Sequence, residues 1–437
     1  MSVVEAAAPP PPPPELLGPA DLAAPDVRIV SEARVRGMGI FLVVLAIVML
    51  GPFGFAVGAH VEATFLLNAQ PVTGLAPLVM SVRWVSVVLG AGCAGIGLTL
   101  ALRARSRGAY MLFGLGVLLF LWSFLTWAAR GGDLAFVALL AEALAYATPL
   151  LYGSMSGIMC ERSGVVNIAI EGQFLAGAFL GAMISSATSN LWLGVLAGAL
   201  AGAVFGALLA FLALRYGADQ IIVGVVIVAF CTGLTNFLTA QVLSPNQNLN
   251  QGLTFSTFGV PLLDKIPIIG PALFNQNYFF YGAIILLVVI HVGLFHTRWG
   301  LRSRAVSEHP RAAETVGIHV LSVRYRNVVL GGVIAGIGGA WFTVGNSGEF
   351  SVDMTAGLGY VALAAMIFGR WRPFGALSAA LLFGFATALQ SFLAVLNVGI
   401  PSPFLSAAPY VITIVVVSGL VGRVRPPAAD GVPYSRG

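Results

Sequence analysis

The chain has 437 residues, 58% of them hydrophobic and only 9% charged, with a mean hydropathy of +0.93. A soluble domain needs about 25% charged residues to cover its surface, so composition excludes a soluble fold. The net charge of +5 does not point to nucleic acid either: Lys265 is the single lysine among 22 basic residues, and the arginines follow membrane topology.

Residues 1–36 come first, with a proline run over Pro9–Pro14. Proline has no backbone donor and a fixed φ, so this stretch is read as a disordered tail. It lacks the positive n-region of a signal peptide. About twelve apolar runs follow, near 37–58, 78–102, 109–129, 134–158, 165–186, 191–214, 220–242, 278–297, 325–345, 354–368, 374–393 and 405–422. Most approach the ~20 residues that cross roughly 30 Å of hydrocarbon. The expected fold class is all-α: a polytopic transmembrane helical bundle of about 10–12 spans, some short or re-entrant.

The arginines set the orientation. With the N-terminus inside, Arg28, Arg34, Arg36, Arg103, Arg105, Arg107, Arg162, Arg215, the cluster Arg298–Arg326, Arg370, Arg372, Arg423 and Arg425 all fall on the cytoplasmic side. Only Arg130 and Lys265 are left in outer loops, with Arg83 inside a span, so both termini are expected in the cytoplasm. The run 354–368 would make a helix of roughly 22 Å, short for a crossing and compatible with a tilted or re-entrant element.

Small residues recur every fourth position at Gly194, Gly198, Gly202 and Gly206, and again at Gly332, Gly336 and Ala340. Such ladders let helices approach closely in lipid. The long outer loop Ser244–Asn277 mixes Asn and Gln with Pro261, Pro267 and Pro271, a character that favours a docking surface.

Catalytic motifs are missing. A phosphate-binding loop ends in a lysine, and Lys265 lies in Leu-Asp-Lys-Ile-Pro. HExxH and GxSxG are absent; His60, His291, His296, His309 and His319 show no ligand spacing; and Cys93, Cys160 and Cys231 show no metal or disulfide pattern. No catalytic or metal-ligating residue is assigned, and the chain is read as a non-enzyme.

The inner segment Ser307–Gly317 reads as a two-turn helix, with Ser307 as cap, Pro310 in the first turn and Gly317 as stop. Glu308, Arg311 and Glu314 would form its charged face. Such a helix either passes force from a soluble motor to the bundle or is an ordinary solvated connector.

Ala312-Ala-Glu-Thr-Val-Gly resembles the cytoplasmic EAA-type loop with which ABC permeases dock their ATPase. Glu161-Arg-Ser-Gly-Val-Val-Asn-Ile-Ala-Ile-Glu-Gly resembles the signature of the branched-chain amino acid, ribose and nucleoside permeases. Residues 354–373, from Met-Thr-Ala-Gly-Leu-Gly-Tyr to Gly-Arg-Trp-Arg-Pro, and 427–434, Pro-Ala-Ala-Asp-Gly-Val-Pro-Tyr, are similar to the nucleoside permeases that work with basic-membrane-type lipoproteins. The likeness implies an ABC permease core at 134–437, with 37–133 as a three-span extension. It implies a bacterial cytoplasmic membrane protein that imports nucleosides or related simple sugars. Its partners would be an ATPase subunit binding ATP and Mg, a second related permease and an extracytoplasmic binding lipoprotein. The coupling helix would then use Glu308, Pro310, Arg311, Ala312, Ala313, Glu314 and Gly317.

Polar residues at membrane depth are the candidates for a substrate pathway. Asn167 and Glu171 are four apart, hence on one face if helical, with Gln173 on another face. Glu142 is read as mid-span; Asn236, Gln241 and Gln390 could hydrogen-bond a ribose or base. The competing reading is interhelical hydrogen bonding. A proton- or sodium-coupled secondary transporter or channel, with Glu142 and Glu171 as coupling carboxylates, is the alternative function.

Overall fold

In lipid every backbone N–H and C=O must be satisfied within its own segment or a closed sheet, so the long apolar runs become helices. The computed structural model describes residues 32–67, 75–103, 108–396 and 425–434. The first helices are α1 (Glu32–Val48), α2 (Val82–Leu102) and α3 (Ala109–Ala128). Next come α4 (Phe136–Glu161), α5 (Ile170–Thr188), α6 (Leu191–Ala210) and α7 (Gln220–Leu238), then the one-turn α8 (Ile269–Leu273). α9 (Tyr278–His296), α10 (Arg298–Glu308), α11 (Pro310–Thr315), α12 (Val320–Ala340), α13 (Leu358–Phe368) and α14 (Pro373–Val395) complete the set.

Among the described residues, nine helices are long and apolar enough to cross a membrane, and the chain is an all-α multi-pass membrane protein. α5 adds 19 residues that are buried on almost every side, as befits the centre of a bundle. The expected run 405–422 lies outside the described residues, as do residues 1–31. The expected disordered tail ends too late: Glu32–Arg36 already belongs to α1, where the two residues form an i,i+4 ion pair at 4.0 Å.

The two small-residue ladders meet each other. A Cβ added at Gly198 on α6 would lie 2.9 Å from the Ala340 Cβ and 3.0 Å from the Gly336 carbonyl oxygen on α12. One at Gly202 would overlap the Gly332 carbonyl and lie 2.6 Å from the Gly336 nitrogen. α5 closes the same seam, since a Cβ at Gly177 would come within 3.0 Å of the Gly336 Cα. Backbones this close rest on van der Waals contact, the main source of helix association in lipid. α4 packs on α12, α13 and α14 around this centre.

The bundle has two distinct ends. At the arginine-rich end α4 finishes, α5 and α7 begin, and α13 turns into α14. At the opposite end the loops carry short strands that the apolar-run reading missed. β1 (Glu62–Leu66) pairs antiparallel with β2 (Leu78–Ser81) and parallel with β3 (Asp133–Ala135), which leads directly into α4. Residues 78–81 are therefore strand rather than the start of a span, and Arg83 falls in the first turn of α2. α1, α2 and α3 share their own apolar core around Leu42, Met49, Cys93 and Phe113.

The long loop folds back on the bundle through its amides. Asn250 accepts the Phe350 N–H at 2.7 Å and donates to the Phe350 carbonyl at 3.1 Å. The Gln251 N–H reaches Ser186 Oγ at 3.0 Å, and Asn277 donates to the Gly345 carbonyl at 2.8 Å. β4 (Phe258–Gly259) and β5 (Asn275–Gln276) close the loop base and leave Leu262, Ile266 and Ile269 exposed.

Candidate functional site

α13 has only 11 residues, roughly 16 Å of helix or about half the hydrocarbon thickness. The chain before it cannot continue as helix: φ is positive at Asp353 (55°), Ala356 (47°) and Gly357 (80°). The first turn of α13 therefore presents N–H groups inside the bundle that no preceding helical turn can satisfy. Glu171, in the first turn of α5, satisfies them. Its carboxylate accepts Thr355 Oγ1 at 2.6 Å, the Gly357 N–H at 2.9 Å and the Gly359 N–H at 2.6 Å. The negative charge thus sits at the positive ends of two helix dipoles at once. Gly359 has to be glycine, because a Cβ there would lie 2.6 Å from the Glu171 backbone.

Asn167 does not share a helical face with Glu171. Residues 165–169 are not helical, and α5 starts only at Ile170. Asn167 instead turns to Gln173, donating to its Oε1 at 3.2 Å, and toward Ser156 Oγ at 3.4 Å and Cys160 Sγ at 3.6 Å. Both amides are fully buried, and Asn167 Oδ1 and Gln173 Nε2 find no partner among the described residues.

The other polar candidates lie elsewhere. Glu142 is in the second turn of α4 rather than mid-span, bonded to Tyr146 and roughly 21 Å of helix from Ser156. Asn236 is near the far end of α7, whose first residue, Gln220, accepts the Val166 N–H at 2.8 Å. Gln241 follows in the closing turn of that helix, and Gln390 is on α14.

At the arginine-rich end, the expected 307–317 helix is split in two. Ser307 is no cap: it is buried in the last turn of α10 and donates to the Arg304 carbonyl at 2.9 Å. His309, extended because Pro310 follows it, separates α10 from α11. Pro310 does open α11, and Gly317 ends it at φ +82°. Ala313 packs with Val306 and Val320, while Arg311, Ala312 and Val316 are exposed. The expected charged face is largely committed to the chain itself. Glu308 accepts the Ala428 N–H at 3.2 Å, and Glu314 accepts the Tyr434 hydroxyl. Beside α11 lies an open cavity of about 750 Å³, lined by Arg298, Arg302, His319 and Arg326 over Leu301 and Val316.

Under these helices is a polar knot that the motif reading did not assign. Trp371 Nε1 donates to Glu161 at 2.5 Å, and Arg162 Nε donates to the Trp371 carbonyl at 3.1 Å. Arg370 and Trp371 hold positive φ (55° and 53°) in the tight turn between α13 and α14. Arg324, fully buried, donates to the Val432 carbonyl at 2.9 Å and the Ala429 carbonyl at 3.4 Å. Asp430 hydrogen-bonds Glu161, and burial pushes its carboxyl up to about 6 against the pull of Arg324. A signal was present, since Trp371 and Asp430 both stand inside segments that resemble the family, but neither residue lies in an apolar run.

Among the described residues no group of three or more His, Cys, Asp or Glu could hold a metal ion. No solved structure matches the chain. Residues 139–418 match the family model described as branched-chain amino acid transport system, permease component. The nucleoside ABC transporter permease protein NupC of Lactococcus lactis is 40% identical over 312 residues, 68% of this chain and 96% of that protein. The guanosine ABC transporter permease protein NupQ of Bacillus subtilis is 36% identical over 67% of this chain and 95% of its own length. A putative glucose ABC transporter permease of Haloferax volcanii, TsgC13, is 34% identical over 56% and 74% of the two chains. The chain belongs to this permease family and is the permease subunit of an ABC importer, related to the nucleoside and sugar permeases.

Proposed function

We propose that this permease imports nucleosides across the bacterial cytoplasmic membrane. The observation that carries the reading is similarity along 96% and 95% of two permeases named for nucleosides and guanosine. Residues 134–437 form the translocating core, and 37–133 are an extension. The arginine-rich end faces the cytoplasm by the positive-inside rule, which puts both termini there. α11 then offers Arg311, Ala312 and Val316 to an ATPase subunit that binds ATP and Mg. A second related permease completes the pathway, and a binding lipoprotein delivers substrate to the outer loop 244–277.

Inside the bundle, Asn167 and Gln173 supply a buried acceptor and donor at the start of α5, against the end of α4, a chemistry suited to ribose hydroxyls and base edges. Glu171 holds the broken start of α13 in place. An ion-coupled mechanism is less well supported, because the Glu171 carboxylate is occupied by three donors. The test is ATP hydrolysis by the reconstituted complex, screened across nucleosides and pentoses. Stimulation by nucleosides and not by free pentoses supports the proposal; stimulation by pentoses alone overturns the substrate.

A further inference from the structure

The tail segment 425–434 runs across α10, α11 and the bundle core together. Toward the surface helices, the Ala429 N–H donates to the Ser307 carbonyl at 2.8 Å, the Ala428 N–H donates to Glu308 at 3.2 Å, and the Tyr434 hydroxyl bonds Glu314. The Tyr434 side chain also packs on the small apolar core of Val306, Ala313 and Val320. Toward the bundle, Arg324 of α12 holds the Val432 and Ala429 carbonyls, and Asp430 bonds Glu161 at the end of α4. Glu161 in turn holds Trp371, between α13 and α14. Asp430 Oδ1 is buried without a partner among the described residues, so the Glu161 contact is made through the other carboxyl oxygen and needs one proton between the two groups. α11 itself makes few contacts with the spans: of its six residues only Ala313 is buried.

We propose that the segment 425–434 is part of the coupling apparatus, tying α10 and α11 to α4 and α12 so that they move as one body, with Asp430 as its anchoring, positioning residue. The inference rests on the proposed role of α11 in ATPase docking. It explains why the acidic residues of that region point to the tail rather than to a partner. Without the tie, force on α11 would bend the linkers at His309 and Gly317 instead of reaching the core.

The experiment uses the full complex in proteoliposomes and reads nucleoside transported per ATP hydrolysed, together with the amount of ATPase bound. Asp430→Ala should bind the ATPase normally while its transport per ATP falls at least about fivefold, the lower end of ordinary coupling energies. Asp430→Asn should keep most of the coupling, because it still accepts a bond from Glu161. In the Asp430→Ala background, a disulfide from the tail to the bundle, between Gly431→Cys and Val166→Cys, should restore the ratio, since a Cβ on Gly431 would lie 3.3 Å from the Val166 side chain. The native Cys93, Cys160 and Cys231 are buried and do not compete. A role in stability alone would lower abundance without changing the ratio, and the disulfide would not rescue it. Should Asp430→Ala fail to insert, Tyr434→Phe, which lacks the hydroxyl that bonds Glu314, reads the same ratio. Wild-type coupling in Asp430→Ala or, should that variant fail to insert, in Tyr434→Phe overturns the proposal. Absence of substrate-stimulated hydrolysis in the wild type overturns the docking reading and the proposal with it.

Discussion

The Glu171 carboxylate accepts the Gly359 N–H at 2.6 Å, joining the first turn of α5 to the first turn of α13. Two helices that start inside the bundle thereby share one capping group. Continuous spans need no such group, because their termini reach water or headgroups.

Replacing Glu171 should therefore be costly in structure before it is costly in transport. Glu171→Gln retains one acceptor and turns an amide toward the remaining donors. A buried N–H left unpaired costs about 1–3 kcal/mol, so the purified protein should melt earlier. Thr355→Val removes one of the three bonds and should cost about 1 kcal/mol. Thermal unfolding in detergent measures both. Equal melting of Glu171→Gln and the wild type would show that α13 does not depend on this cap.

The ladder seam makes a sharper contrast. Gly202→Ala would drive a methyl group into the Gly332 carbonyl, whereas a Cβ at Gly233 on α7 meets nothing within 4 Å. Overpacking of a tight contact costs typically about 1–3 kcal/mol. Gly202→Ala should destabilise by that amount and Gly233→Ala should be neutral. The same melts decide, and an equal effect at both sites would mean that α6 and α12 do not touch as described.

At the arginine-rich end, Arg311 is the charge of α11 left exposed, while Glu308 and Glu314 bond the tail. Arg311→Glu should reduce the ATPase co-purified with the permease at unchanged membrane abundance. Normal recovery of the ATPase would place the docking surface elsewhere.

Tail docking should also depend on pH. The Asp430 carboxyl is raised by burial from 3.8 to about 6 in the docked state. A raised carboxyl favours docking most below its free value, and this stabilisation is lost as pH rises through the docked value. Spin labels on Val432 and Arg311 should report a larger docked fraction at pH 5 than at pH 7.5. Asp430→Asn should shrink the difference without abolishing it, because Glu161 still shares its proton with residue 430; a fraction that grows with pH would contradict the sign.

Much of the fold was legible because lipid leaves the backbone so few options. Apolar length marked the spans, and the glycine spacing marked the α6 and α12 faces that meet. The short run at 354–368 correctly signalled an irregular element. What failed were the places where backbone partners come from outside the segment. Residues 165–169 read as helix by their apolar character, yet Gln220 takes the Val166 N–H and Asn167 turns inward to Gln173. Ser307 reads as a cap by its hydroxyl three positions ahead of Pro310, yet α10 runs through it to Glu308 and its hydroxyl bonds back to Arg304. The strands at 62–66, 78–81 and 133–135 pair across long separations that no local pattern announces. Asp430 could not be linked to Glu161 by periodicity, since 269 positions separate them.

In the proposed function, ATP hydrolysed by a partner drives nucleoside through this chain. The most direct measurement is uptake of labelled nucleoside into proteoliposomes holding the permeases, the ATPase and the binding lipoprotein, with and without ATP on the ATPase side and with a protonophore present. Uptake should require ATP and be unchanged by the protonophore. Uptake without the ATPase, or its collapse when the proton gradient is dissipated, would contradict that function.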